Sequence, residues 1–328
     1  MAFIRSALTR CFAPLLLTAV LASSSELHAQ SSQALQMLNQ GRVDEAAKIL
    51  NDILAKEPHN ALAHQLLCRV DYAQDLGDAA VRECEQAAQD DPGSSANQMW
   101  LGRAYGLKAS QANMLSAFGI AKKVHLAFEK SIQLDPFNVQ AMSDLGQFYV
   151  NAPGIVGGGV DRAQELSGRL LQRSAARGHR LLGQIAAKKN DTGTAENEFK
   201  VATAAGKTPE SWVDLGLFYQ QHGQPDKALA ALESGIAANH AKNAALVDTA
   251  SILTDLKVKP DLAEKCLREY LASPAKTEDA PAFKAHLQLG DLLKKRGDVA
   301  GANTEYAAAL ALASRYAPAI KAAQGAQQ

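Results

Sequence analysis

The sequence predicts an all-α fold: a right-handed α-solenoid of about eight helix-turn-helix repeats, finished by a C-terminal capping helix. Three observations predict it. The chain is self-similar at a fixed period, since Pro58 to Pro92, Ala46 to Ala80 and Leu67 to Leu101 are each 34 residues apart. Such a period marks a stack of supersecondary units. A Leu-Gly-x-x-aromatic phrase recurs as Leu101-Gly102-x-x-Tyr105, Leu145-Gly146-x-x-Tyr149 and Leu215-Gly216-x-x-Tyr219. Aromatic residues make up only 5% of the chain, and alanine leads its apolar residues. That composition suits helices packed on small side chains and disfavours a β-sandwich or barrel.

The N-terminus reads as a secretory signal. Arg5 and Arg10 precede an apolar run from Cys11 to Ala22, and the polar stretch Ser23 to Ala29 follows it. The run is too short to span a bilayer, so cleavage near Ala29 is expected, with Ser25 as the alternative site. Residues 1–29 are then the signal peptide, and the protein is expected to be periplasmic or secreted. The remaining chain carries 32 basic and 33 acidic groups, because Arg5, Arg10 and Glu26 leave from totals of 34 each. Neither a nucleic-acid footprint nor a polybasic membrane segment is present. No membrane span is expected in the mature chain.

The repeats occupy 30–314. Helix pairs are expected at about 30–60, 61–94, 95–138, 139–175, 176–208, 209–242, 243–276 and 281–313. Residues 315–328 form the capping helix and tail, which covers the last apolar face. Each repeat is expected to bury its core only against its neighbours. Glycine inside a helix costs about 1 kcal/mol relative to alanine. Gly102, Gly146, Gly183, Gly216 and Gly290 share one repeat position and so need a common cause. The cause is close approach of the two helices of a pair. Opposite these glycines the second helix offers a small residue at Ala195, Ala228 and Ala302. Four residues further on it offers a plug at Phe128, Phe199, Leu232 and Tyr306. The pairs Glu57-Pro58, Asp91-Pro92 and Asp135-Pro136 end second helices, because proline cannot continue the hydrogen-bond ladder.

Trp212-x-x-Leu215-Gly216-x-x-Tyr219 followed by Ala228 matches the tetratricopeptide pattern throughout. The chain resembles the tetratricopeptide-repeat family along nearly all of its mature length, in a secreted or periplasmic bacterial form. That resemblance implies a non-catalytic protein-binding scaffold with a concave surface lined by first helices.

Two insertions interrupt the pattern, both in the turn between the helices of a pair. One spans 107–120 in the third repeat, and the other spans 151–160 in the fourth. Equivalent turns lie on one edge of a solenoid, so the insertions are expected side by side. In the first, Met114, Leu115, Phe118 and Ile120 read primarily as extra local core and secondarily as an exposed docking patch. The second contains Pro153, Gly154, Gly157, Gly158 and Gly159, with Asp161 as the N-cap of the following helix. It reads as a connector with Ile155 and Val156 tucked into the edge, or as a nest of open backbone N–H groups for an anion. It resembles loops of secreted bacterial repeat proteins. It is not a Walker or dinucleotide loop.

Catalytic and metal motifs are missing from the sequence. It has no Gly-x-Ser-x-Gly elbow and no paired Cys or His at finger spacing, and its histidines look scattered. No enzyme activity, metal or cofactor is expected. Cys68 and Cys84 both face the core of the second pair, which leaves a disulfide and two buried thiols equally open; Cys266 reads as core. Carried over from the family resemblance, the partner-binding row is Gln65, Arg69, Arg103, Gln140, Ser143, Gln147, Arg177, Arg180 and Gln184. Its basic bias points to carboxylate partners. The expected function is therefore a bacterial cell-envelope scaffold that binds a protein or peptide and no nucleic acid. The alternatives are a small-ligand receptor using the glycine-rich insertion and a structural homo-oligomer built by self-association.

Overall fold

A computed structural model describes residues 27–325; the apolar run expected to be a secretory signal lies outside them. The described residues form seventeen α-helices and no strand. They pair as α1 (27–39) with α2 (Val43–Lys56), α3 (Ala61–Ala73) with α4 (Gly77–Asp90), α5 (Ser95–Gln111) with α6 (Met114–Leu134), and α7 (Val139–Asn151) with α8 (Val160–Arg173). Then come α9 (Ala175–Lys188) with α10 (Thr192–Gly206), α11 (Pro209–Gln221) with α12 (Pro225–Ala238), α13 (Ala245–Leu256) with α14 (Pro260–Ala272), and α15 (Ala282–Lys295) with α16 (Val299–Leu312). Helix α17 (Ala317–Gln324) completes the series. The expected cleavage point near Ala29 falls inside the first turn of α1.

Local chemistry fixes the boundaries. Asn60, Ser94, Asn113, Asn138, Asp191 and Asp298 accept from backbone N–H groups of the first turn and so cap their helices. Pro209, Pro225 and Pro260 open α11, α12 and α14, where a missing N–H costs nothing. The acid-proline pairs lie just past the ends of α2, α4 and α6. The cap expected at Asp161 is not formed: α8 is capped by Gly159 and Asp161 lies in its first turn, where its charge meets the helix dipole.

The glycine argument holds in four of five repeats. A Cβ at Gly102, Gly183, Gly216 or Gly290 would stand 2.5–3.0 Å from Phe128, Phe199, Leu232 or Tyr306, the plug of its own pair. Gly146 differs, because a Cβ there would meet Leu181 of α9 at 2.6 Å. The plug position of the fourth pair holds the small, buried Ser167, and a side chain from the next repeat fills the space.

The larger departure concerns the ends. Repeats do not meet only their sequence neighbours, because the array closes on itself. Phe283, Ala309, Ala313, Tyr316 and Ala319 share one buried cluster with Met37, Leu38, Leu50, Leu66 and Val70. A Cβ on Gly41, whose φ is +76°, would lie 2.6 Å from the backbone nitrogen of Ala282. Around this joint Arg315 pairs with Asp71 at 3.0 Å, Lys284 with Asp75 at 2.7 Å, and the Ser314 N–H donates to Asp44 at 2.8 Å. The capping helix therefore helps to seal a ring instead of covering an open end.

Candidate functional site

Ring closure turns the concave face into a lumen. Two cavities of about 600 and 880 Å³ share Asp144 and Asp279 in their walls. Most of the predicted row faces them: Arg69, Arg103 and Gln147 line the smaller, and Gln140, Ser143, Arg177 and Arg180 the larger. Gln184 lines a side pocket with Gln147 and Arg180. Gln65 is buried, and its amide donates to Asn97 at 2.9 Å.

The row is not the free basic surface that the sequence suggests. The Arg69 guanidinium grips Glu278 at 2.8 and 2.5 Å, Arg103 donates to Asp144 at 2.7 Å, and Arg180 pairs with Asp214 at 2.9 Å. Arg177 donates to Gln140 at 2.7 Å. Trp100 lies beneath two of these cations, with the Arg69 and Arg103 centres 5.1 and 4.6 Å from its ring. Arg69, Arg103, Arg177, Arg180 and Lys284 face the two cavities, against Asp75, Asp144, Glu210, Asp214, Asp248, Glu278 and Asp279. The balance is acidic, which corrects the expected basic bias.

Glu278 reaches Arg69 from the strap joining α14 to α15, residues 273–281. The strap is tied down along its length. Ser273 donates to the Ala241 carbonyl at 3.0 Å, and the fully buried Tyr270 donates to the Ala280 carbonyl at 2.5 Å while accepting from the Thr277 N–H at 3.2 Å. A tethered turn of the chain thus already lies along one wall of the lumen.

The carboxyl groups of Asp248 and Asp279 have no hydrogen bond or ion pair among the described residues. The Asp248 carboxyl is open to the cavity, yet its pKa is pushed up to about 6, first by desolvation and then by Asp214, Asp279 and Glu210. Burial also raises Asp214, against the pull of Arg180. Sequence reasoning missed these acids, although a signal was present. Asp144, Asp214 and Asp248 each stand two residues before Gly146, Gly216 or Ala250. The histidines are not scattered either. His64, His179 and His286 occupy one repeat position, each bonded to a glutamate nineteen residues on, at 2.6–2.8 Å.

The second insertion packs against α6, the helix that the first insertion lengthens: a Cβ on Gly157 would touch the His125 ring at 2.6 Å. The glycine-rich loop offers no anion nest. The N–H groups of Gly157, Gly158 and Gly159 donate to the carbonyls of Gly154, Pro153 and Tyr149. Pro153 and Gly154 open its short 3-10 turn. Val156 is buried, but Ile155 points outward. The first insertion lengthens α5 and α6. Met114, Leu115 and Phe118 are exposed there, so they are not the extra core expected; Ile120 alone packs inward. Cys68 and Cys84 are joined by a disulfide between α3 and α4, with Cα atoms 5.3 Å apart, and Cys266 is a buried thiol. No cluster able to hold a metal ion and no helix long and apolar enough to cross a membrane occurs among the described residues.

Comparison with known proteins agrees with this architecture. A tetratricopeptide-repeat family model matches residues 37–104. Superkiller complex protein 3 of Mus musculus is 26% identical over 213 residues, covering 63% of this chain. The match spans only 13% of that protein. Among solved structures, yeast Tom70 aligns over 87% of this chain and 58% of its own, at 16% identity and a TM-score of 0.52. A thermophilic tetratricopeptide-repeat protein of Thermus thermophilus aligns over 70% of this chain and 99% of its own, at 18% identity and a TM-score of 0.46.

Proposed function

The chain belongs to the tetratricopeptide-repeat family, and from that premise we propose that its lumen holds an extended segment of a protein partner, engaged through basic side chains. Tetratricopeptide arrays are protein–protein interaction scaffolds, and in the strap a piece of the chain itself lies against these first helices, with Glu278 on Arg69. The observation that carries the charge assignment is the unpaired Asp248, set among Asp214, Asp279 and Glu210. Three of the four lumen arginines, Arg69, Arg103 and Arg180, already hold acids of the chain itself, and the fourth, Arg177, faces three acids without an ion pair, Asp248, Asp279 and Glu210. What remains unanswered electrostatically is negative, so an incoming Lys or Arg fits better than a carboxylate.

The proposal extends to location in the bacterial cell envelope. The signal-like N-terminus supports it, and so does the Cys68–Cys84 disulfide, since structural disulfides persist in oxidising compartments. The test uses fluorescein-labelled hexalysine and hexaglutamate as probes. Hexalysine should bind the full chain more tightly, and Asp248→Asn with Asp279→Asn should weaken it by about tenfold or more. Tighter binding of hexaglutamate, or no effect of the double substitution, overturns the charge assignment. Binding should also fade as pH falls through about 6, where Asp248 takes up its proton.

A further inference from the structure

The two lumen cavities differ in chemistry. In the smaller, each cation is matched: Arg69 with Glu278, Arg103 with Asp144, and Lys284 with Asp75. The rest of its wall is largely apolar, made by Tyr72, Trp100, Leu107, Phe128 and Pro281. Tyr72 meets Trp100 edge to face, with ring centres 5.7 Å apart. The larger cavity carries the surplus of acids, Asp248 and Glu210 among them. Asp144 and Asp279 belong to both walls, so one space has an aromatic end and an acidic end.

Gly106 marks the aromatic end. It lies inside α5, where glycine is a poor helix former. At the crossing glycines that cost is explained by the plug of the facing helix. A Cβ on Gly106 would meet nothing within 4 Å. Packing within the chain therefore gives no reason for it, and the space it leaves opens into the smaller cavity. Gly119 and Gly168 have the same freedom, but both are exposed and line neither lumen cavity. Two polar groups also stand idle at this end. The Tyr72 hydroxyl and the Gln147 amide have no hydrogen-bond partner among the described residues.

We propose that the smaller cavity receives a tyrosine side chain from the same partner segment whose basic residue enters the larger one. This rests on the charge assignment made above. A tyrosine ring suits the apolar wall, where it can lie edge-on or offset against Tyr72. Its hydroxyl would find in Tyr72 and Gln147 the partners that a buried phenol needs. An aliphatic side chain would leave both polar groups unanswered, and a carboxylate would find each cation already taken. The shared walls make one extended segment, and not two ligands, the natural occupant of both ends.

The test uses fluorescein-labelled heptapeptides with three lysines on each side of a central tyrosine, phenylalanine or alanine, bound to the full chain. The tyrosine probe should bind about tenfold tighter than the alanine probe, with phenylalanine between them. Gly106→Leu fills the cavity from a position with open space, and it replaces a poor helix former with a good one. Its melting temperature should match or exceed that of the parent, while its tyrosine and alanine probes should bind alike. Tyr72→Phe should lower the affinity of the tyrosine probe to that of the phenylalanine probe. Equal binding of tyrosine and alanine by the parent overturns the aromatic subsite and leaves the charge assignment standing. A tyrosine preference that survives Gly106→Leu overturns its placement in this cavity. If none of the lysine probes binds, the charge assignment fails and this proposal falls with it.

Discussion

The contact between α11 and α12 and the joint between α1–α3 and α15–α17 bury the same kind of surface, yet they are specified differently. In the first, Gly216 lets Leu232 approach, and Leu215 and Ala228 complete a cluster that recurs from pair to pair. Its partners are fewer than twenty residues apart, and the same rule rewrites it in several repeats. In the second, Phe283 and Tyr316 meet Leu38 and Leu66 across more than two hundred residues. No period announces that contact. It depends on the small rotation between successive pairs, summed over the whole array, bringing the last pair back to the first. A local rule therefore builds the wall, and an accumulated angle closes the ring.

The largest effect should come from truncating the joint's central aromatic. Phe283→Ala should destabilise by about 3–5 kcal/mol, and Leu215→Ala by about 2–5 kcal/mol, since both remove fully packed core. Chemical denaturation checks the energies, and small-angle scattering separates the two mechanisms. Loss at Leu215 should weaken the wall without changing the radius of gyration of the folded chain. Loss at Phe283 should let the ring spring open and raise it. An unchanged denaturation midpoint for Phe283→Ala would mean the ring ends do not rest on each other in solution.

The strap offers a smaller perturbation of the same joint. Glu278→Ala leaves the Arg69 guanidinium, itself largely buried beside Trp100, without its carboxylate. The expected cost is about 2 kcal/mol, typical of a hydrogen bond to a charged group. Salt should reduce the difference between parent and variant only slightly, because the pair is mostly shielded from water. A strongly salt-dependent difference would place the strap out in solvent and leave the lumen wall unlined.

The same contrast explains how much could be read from the sequence. Repeat number, helix ends, the glycine crossings and the position of the insertions follow from periodic residues, because each is set within one pair or between adjacent pairs. Gly146 differs because Ser167 at the plug position of its own pair is too small to fill the space, which goes to Leu181. The exposed tip is only the second reading of its sequence because an apolar run reads first as core unless something shows that no neighbour reaches it. The charge of the lumen was misjudged for a different reason. Arginines on first helices form a visible basic row, while Asp144, Asp214 and Asp248 sit at an equally regular position beside them. Glu278 could not have been placed there without the joint.

The smallest effect, and the one most specific to the lumen, is the pH dependence of Asp248. Its carboxyl has a folded-state pKa raised to about 6, above the ordinary value of 3.8. The folded chain therefore holds this proton over a range where the unfolded chain has released it. Stability from this group is fully present below the ordinary value and is lost as pH rises through about 6. Asp248→Asn cannot ionise, so it should raise the melting temperature at pH 7.5 and change it little at pH 4, both pH values set by that window. The closed ring is what makes the effect visible. Asp279 reaches Asp248 from the strap, so Phe283→Ala, which frees the strap, should shrink the benefit of Asp248→Asn at neutral pH. Equal benefits in the two backgrounds would mean that the acids repel one another within the wall alone, through Asp214 and Glu210, and that closure adds nothing to the field inside.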